Sequence, residues 1–320
     1  MMETLSLKGA QGEIEVKVLG EGPVILCVHG WPELWYSWRH QMQHFAELGY
    51  RVAAMNVRGY GNSVHPRDIA SYTLEALSDD IRAVAEQLSE APVVLFGHDW
   101  GAPQVYTAAL RFPEQFRAVA GLSVPFRSPT DIPLLEIWET LYADRFFYQT
   151  YFQEPGRVEA EVMEDLPQAL RKIYFALSGE APLNEWLKTK PKGAGLLEDL
   201  IDPEPFPAWM SQEDLSIYCD AFQAAGFVGP INRYRAQTLD AQGLPDIKGA
   251  RLQQPTVFIA GTRDPVRNFV AGMDGYELAA DHCDDFRGSI LLEGAGHWVQ
   301  QEQPIATNAA LEAFMKGIEA

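Results

Sequence analysis

The sequence predicts an α/β fold, a mostly parallel sheet with helices on both faces, interrupted once by an all-helical insertion. Three observations predict it. Short apolar runs alternate with segments of helical spacing, several runs are followed closely by Gly or His, and the alternation stops between about Pro125 and Pro245, where aromatic-rich helical segments take over.

The strand candidates, in order, are Val24–Val28 (VILCV), Arg51–Met55 (RVAAM) and residues 92–96 (PVVLF), 118–122 (AVAGL), 256–260 (TVFIA) and 289–292 (SILL). Apolar runs this short suit strands buried on both faces of a parallel sheet. Between them, residues 34–48 and Leu74–Leu88 have helical spacing, the second with Leu74, Leu77, Ile81, Val84, Ala85 and Leu88 as its apolar stripe. In the insertion, residues 136–152, Leu166–Leu177 and 213–225 are helix candidates. Ser211 with Asp214 resembles a capping box, Gly226 reads as a stop and Pro230 as the first position of another helix. The stretch DPEPFP (residues 202–207) reads as a rigid loop. The expected organisation is a core of residues 1–125 and 246–320 carrying a helical cap of residues 126–245.

A chain of 320 residues with 47% hydrophobic content has enough material for a large buried core. Its formal net charge of −19 argues against a nucleic-acid partner, because phosphates would be repelled and no basic run compensates. The start, MMETLSLK, lacks a basic region followed by an apolar one, and no apolar stretch has the length of a membrane span, so a soluble, cytoplasmic protein with no membrane partner is expected. Cys27, Cys219 and Cys283 are widely separated and odd in number, which fits bystander thiols.

Chemistry enters at GHDWG, Gly97 to Gly101. This is the G-x-S-x-G pattern of a nucleophile elbow with aspartate in place of serine, between a predicted strand and a predicted helix. An aspartate before a helix is ordinarily a cap, yet two further segments change the reading. Asp264 follows a predicted strand in GTRDP, and His297 follows the last one in GAGHW. Sites of this architecture assemble at the carboxyl ends of the strands, and the order nucleophile, acid, histidine is that of a hydrolase triad. A fourth segment, HGWPELW from His29, again follows a strand, so that the backbone N–H groups of Trp31 and Trp100 are candidates for an oxyanion hole.

Together, HGWPE, RGYGNS (residues 58–63), GHDWG, GTRDP and GHW resemble the α/β-hydrolase-fold epoxide hydrolases over nearly the whole chain. Within the insertion, FYQTYFQEPG (residues 147–156) and GFVGPINRYR (residues 226–235) are similar to the two lid segments that supply tyrosines to the epoxide oxygen. The resemblance implies donors at Tyr148 and Tyr234, with Tyr151, one turn from Tyr148, left as the alternative. It implies opening of an epoxide to a vicinal diol through an alkyl ester on Asp99, hydrolysed by water that His297 activates with Asp264 orienting it. It also implies no cofactor and no metal.

Trp138, Phe146, Phe152 and Phe222 are cap aromatics, from which a mostly apolar or aromatic epoxide is expected, with Trp138, Phe152 and Phe222 as pocket candidates. A homodimer is compatible with the sequence. Two other readings stay open: a haloalkane dehalogenase-like hydrolase, whose members also carry Asp at the elbow, and a noncatalytic ligand-binding protein on the same fold. Main esterase or lipase activity is disfavoured by the missing serine, and the fluoroacetate-dehalogenase pattern by Trp100 and Pro103.

Overall fold

The computed structural model describes residues 1–319. Eight strands form one sheet: β1 (Glu3–Lys8), β2 (Glu13–Leu19), β3 (Val24–Val28), β4 (Arg51–Met55), β5 (Val93–His98), β6 (Phe116–Leu122), β7 (Thr256–Gly261) and β8 (Phe286–Leu292), in the order β1-β2-β4-β3-β5-β6-β7-β8. β1 and β2 pair antiparallel, as do β2 and β4, and every other pairing is parallel. The six predicted strands are present, β3 and β4 with the expected ends and the other four with ends shifted by one to three residues, whereas the β1–β2 hairpin is an addition. It lies at the sheet edge and alternates charged with apolar residues, so it offers no continuous apolar run.

The helices are α1 (Arg39–Glu47), α2 (Leu74–Leu88), α3 (Gly101–Arg111), α4 (Leu134–Leu141), α5 (Tyr148–Tyr151), α6 (Arg157–Glu164), α7 (Leu166–Leu177), α8 (Gln212–Ala225), α9 (Val228–Arg235), α10 (Gln237–Gln242), α11 (Val299–Glu302) and α12 (Pro304–Glu319). Successive strand residues face opposite sides, and the core divides accordingly. Val24, Leu26 and Val28 pack with Leu77, Ile81 and Val84 of α2 and with Val105 of α3. Ile25 and Cys27 pack with Met42 and Phe45 of α1 and with Leu311 and Phe314 of α12. Each fully buried Val, Leu or Ile contributes about 1.5–3 kcal/mol, so both faces of the central strands add to the core's stability.

Helices α4 to α10 all lie between β6 and β7, the interval where the strand rhythm stops. Ser211 and Asp214 form the expected capping box, and Gly226 ends α8 with φ of 75°. Two cap expectations need correction. Residues 136–152 are not one helix: α4 ends at Leu141, and Phe147 is extended at the start of α5. The break is held by the Phe146 N–H donating to the Lys190 carbonyl (3.0 Å) and by Tyr142 stacking on Phe147 (4.1 Å). Pro230 sits inside the first turn of α9 rather than at its first position, which Val228 takes. Residues 202–207 form a loop, as expected.

The RGYGNS motif braces the core. Arg58 is buried, its Nε donates to Asp80 Oδ2 of α2 (2.6 Å), and Ser63 Oγ donates to the Asn56 carbonyl (2.6 Å). Among the described residues, no helix is long and apolar enough to cross a membrane.

Candidate active site

β3 is the strand from which the sheet grows in both directions, to β4 on one side and β5 on the other. That switch point opens a crevice at the carboxyl ends of the strands. Val28 of β3 lies opposite Gly97 of β5, which sets the HGWP loop beside the GHDWG turn although 68 residues separate Trp31 from Asp99. Asp99 occupies the left-handed region with φ of 50°, the strained elbow that projects a side chain above the sheet. The turn needs its glycines for contact. A Cβ on Gly101 would stand 2.1 Å from the Val28 carbonyl oxygen, and one on Gly30 only 2.3 Å from Asp99 Oδ1.

Loops after β7 and β8 complete the group. Asp264 and His297 are buried, and His297 Nδ1 lies 3.0 Å and 3.1 Å from the two carboxylate oxygens of Asp264. On its other side, His297 Nε2 is 3.3 Å from Asp99 Oδ2. Burial opposes a charge on His297, but the carboxylates of Asp264 and Asp99 prevail and hold it well above the usual histidine range.

The two Asp99 oxygens have different partners. Oδ1 accepts from the Trp31 N–H (2.7 Å), and Oδ2 faces His297. Of the two N–H groups expected in the oxyanion hole, that of Trp31 therefore points at Asp99. The Trp100 N–H, at the cap position of α3, makes no hydrogen bond to Asp99 among the described residues.

A buried network braces the HGWP loop from beneath. Glu33 Oε2 accepts from the Gly30 N–H (2.8 Å) and lies 2.6 Å from His98 Nδ1, while His98 Nε2 donates to the His297 carbonyl (2.7 Å). Burial acts to raise the Glu33 carboxyl, but His98, His29 and the Gly30 N–H together hold it below the ordinary range.

Above Asp99, α5 and α9 bring Tyr148 and Tyr234 together, their rings 5.8 Å apart. Tyr234 also packs edge-on against Trp31 (5.7 Å), Trp100 (5.4 Å) and Phe152 (4.9 Å). Burial first pushes both phenols upward, followed by the negative charge of Asp99 for Tyr148 and by Tyr148 and then Asp99 for Tyr234, so both stay protonated through the neutral range. Tyr151 points elsewhere: its hydroxyl donates to Glu161 Oε2 (2.5 Å), and Arg157 lies over its ring.

Asp99, Trp100, Trp138, Tyr148, Gln149 and Gln237 line a cavity of about 160 Å³ whose remaining wall is largely apolar. The expected pocket set is corrected at two positions. Phe152 lies behind the tyrosines, against Trp31 and Tyr234, and Phe222 stacks on Phe227 (4.5 Å) and packs against Tyr60, so neither lines the cavity. In their place the wall uses Val266, Phe269, Val270, Met273 and Leu278, from the segment after Asp264, with Arg127 also in the wall. That segment has no strand or helix period to announce it. Its signal was only its position after a strand end.

Residues 23–304 match the family model described as alpha/beta hydrolase fold. The chain is 37% identical to Epoxide hydrolase A of Mycobacterium tuberculosis, over 93% of this chain and 91% of the relative. It is 32% identical to Epoxide hydrolase B of the same organism, over 93% and 92%. Among solved structures, an epoxide hydrolase from an endophytic Streptomyces superposes with a TM-score of 0.94 at 36% identity, covering 99% of this chain and 96% of that one. Epoxide Hydrolase A from Mycobacterium thermoresistibile gives 0.92 at 36% identity, covering 99% of each chain.

Proposed function

This chain belongs to the epoxide hydrolases of the α/β-hydrolase fold, and from that premise we propose that it opens its epoxide with Asp99 as the nucleophile. Membership sets aside the dehalogenase-like and noncatalytic readings. One observation carries the residue assignment: Asp99 lies in the cavity wall with one oxygen held by a backbone N–H and the other facing His297, and Tyr148 lines the same cavity.

In the first step Asp99 Oδ2 attacks an epoxide carbon and the C–O bond on that carbon breaks. A carboxylate needs no base for this, because it is already anionic. Tyr148 and Tyr234 donate hydrogen bonds to the departing oxygen, and one of them gives it a proton. Both phenols are buried and protonated, which suits donors rather than bases.

In the second step water attacks the ester carbon of Asp99 and His297 Nε2 takes its proton, with Asp264 holding Nδ1. Oδ1, already on the Trp31 N–H, becomes the oxyanion, with the free Trp100 N–H as its second donor. Esterification removes the Asp99 charge, one of the two carboxylates that favour protonated His297. The imidazole is thereby released to act as a base at the stage that needs one. Collapse of the oxyanion expels the diol oxygen, which takes the proton held by His297, and the proton that Asp99 sheds on returning to a carboxylate restores the tyrosine that gave its own in the first step.

We read residues 126–245 as the cap and residues 1–125 with 246–320 as the core. The largely apolar cavity wall supports a mostly apolar epoxide as substrate. Three unpaired thiols favour a reducing, cytoplasmic setting, and a homodimer is compatible with the reading. The test is single turnover with Asp99→Ala. No diol and no covalent adduct should form while the circular dichroism is unchanged, and normal diol formation would remove Asp99 from the mechanism.

A further inference from the structure

We propose that Gln149 and Gln237 fix the direction of the Tyr148 hydroxyl hydrogen, which makes Gln149 a positioning residue for ring opening. The proposal rests on the reading above that Tyr148 donates to the epoxide oxygen.

A backbone carbonyl only accepts, so the Gln237 atom 3.1 Å from the Tyr234 carbonyl oxygen is its amide nitrogen, Nε2. The same Nε2 lies 3.1 Å from the Gln149 side chain, and the atom it meets there must accept, which makes that atom Oε1. The Gln149 amide is then oriented without choice, and its Nε2 is the atom 2.8 Å from the Tyr148 hydroxyl oxygen. An amide N–H₂ only donates, so the phenol oxygen accepts and its own hydrogen lies elsewhere.

All three side chains are buried yet line the cavity that holds Asp99, at 9% exposure for Tyr148, 7% for Gln149 and 4% for Gln237. The hydrogen displaced from Gln149 is thus free for an oxygen placed in that cavity. With the amide reversed, Oε1 would capture it and Tyr148 would have none to offer.

The arrangement also serves the phenol after it has donated. The Gln149 N–H stays on an oxygen that is becoming negative, and it works against the burial and the Asp99 charge that push Tyr148 upward. Because Gln237 bonds the backbone of Tyr234 as well, one amide pair ties together the two segments that carry the donors.

The experiment measures alkylation and ester hydrolysis separately, by stopped-flow tryptophan fluorescence with styrene oxide as the probe. Gln149→Met keeps the side-chain length but removes the amide, and should slow alkylation by roughly 10-fold, the rate equivalent of one net hydrogen bond. Gln149→Glu nearly preserves shape but presents an acceptor to Tyr148, and should slow alkylation more than Gln149→Met does. Ester hydrolysis should change less than twofold in both variants, which also reports an intact fold.

In a Tyr148→Phe background Gln149→Met should add less than twofold, since there is no hydroxyl left to orient. Equal effects of Gln149→Met in the two backgrounds, or a Gln149→Glu variant no slower than Gln149→Met, would overturn the proposal and leave Gln149 a packing residue. Unimpaired alkylation by Tyr148→Phe alone would instead overturn the donor assignment, and this inference with it.

Discussion

If Asp264 orients His297 for the second step, as proposed, Asp264→Asn should separate the two chemical steps. Asp264 is buried, Oδ1 accepts the Val266 N–H (2.9 Å), and both oxygens face His297 Nδ1 at 3.0 Å and 3.1 Å. Asparagine can keep the Val266 bond with its carbonyl oxygen, which turns its N–H₂ toward His297. With the N–H₂ on the nearer of the two contacts, Nδ1 is favoured as an acceptor and the proton of a neutral imidazole shifts to Nε2, the nitrogen proposed to receive a proton from water.

A lost charge-assisted hydrogen bond is worth roughly 1.5–3 kcal/mol, or about 10- to 150-fold in rate. Holding the wrong tautomer extends the loss toward ~10⁴-fold, as it does in serine proteases. Alkylation should change by less than a few-fold, because the proposed attack by Asp99 needs no base. Rapid mixing with limiting epoxide, followed by intact-protein mass measurement, should show the ester accumulating and persisting. Equal slowing of both steps, or hydrolysis at the wild-type rate, would refute the assignment of Asp264 to His297 and of His297 to the second step alone.

The upward shift of His297 makes a second prediction: in Asp99→Asn, which removes one carboxylate much as the ester does, the imidazole should titrate at lower pH than in the wild type by NMR. An unchanged titration would contradict the release of the base on alkylation. Tyr151→Phe should leave alkylation within about twofold of wild type in the same stopped-flow assay, since that hydroxyl is spent on Glu161. Phe222→Ala should cost about 3–5 kcal/mol in urea denaturation while leaving KM for aromatic epoxides unchanged, because the ring lies in the core and outside the cavity. Burial pushes Glu302 up to about 7, so the folded protein holds a proton that the unfolded chain releases nearer 4.5, and stability should fall by roughly 3 kcal/mol as pH rises through that window. Glu302→Gln should flatten the slope, as read from denaturation midpoints across pH.

What the sequence discloses about this protein follows from where its constraints are local. VILCV and the VFIA of TVFIA are legible because strands buried on both faces favour apolar residues at successive positions. The ETLSLK edge strand has no such requirement, so its pattern resembles a polar segment. Asp99, Asp264 and His297 are recoverable because each follows a strand end, and strand ends mark where loops converge. Phe222 misleads for the complementary reason. An aromatic on an amphipathic helix is expected to be buried, but which buried surface it meets depends on how α8 docks, and no residue near Phe222 encodes that. The Gln149–Gln237 contact spans 88 positions and two helices, so only folding brings it into view.

The mounting of His297 bears on how cap and core can be exchanged between relatives. Its N–H donates to the Leu177 carbonyl (2.9 Å) at the end of α7, and the Trp298 indole donates to the Tyr174 carbonyl (2.8 Å). The Tyr174 hydroxyl reaches the Pro32 carbonyl (2.5 Å), and Glu302 gathers the N–H groups of Gly179, Gly296 and Trp298. This side of the insertion is therefore masonry of the catalytic floor, not a detachable roof. A transplanted insertion that omitted residues 174–179 would remove the Leu177 carbonyl that holds the His297 N–H, so exchange of this segment should be most restricted at the end of α7.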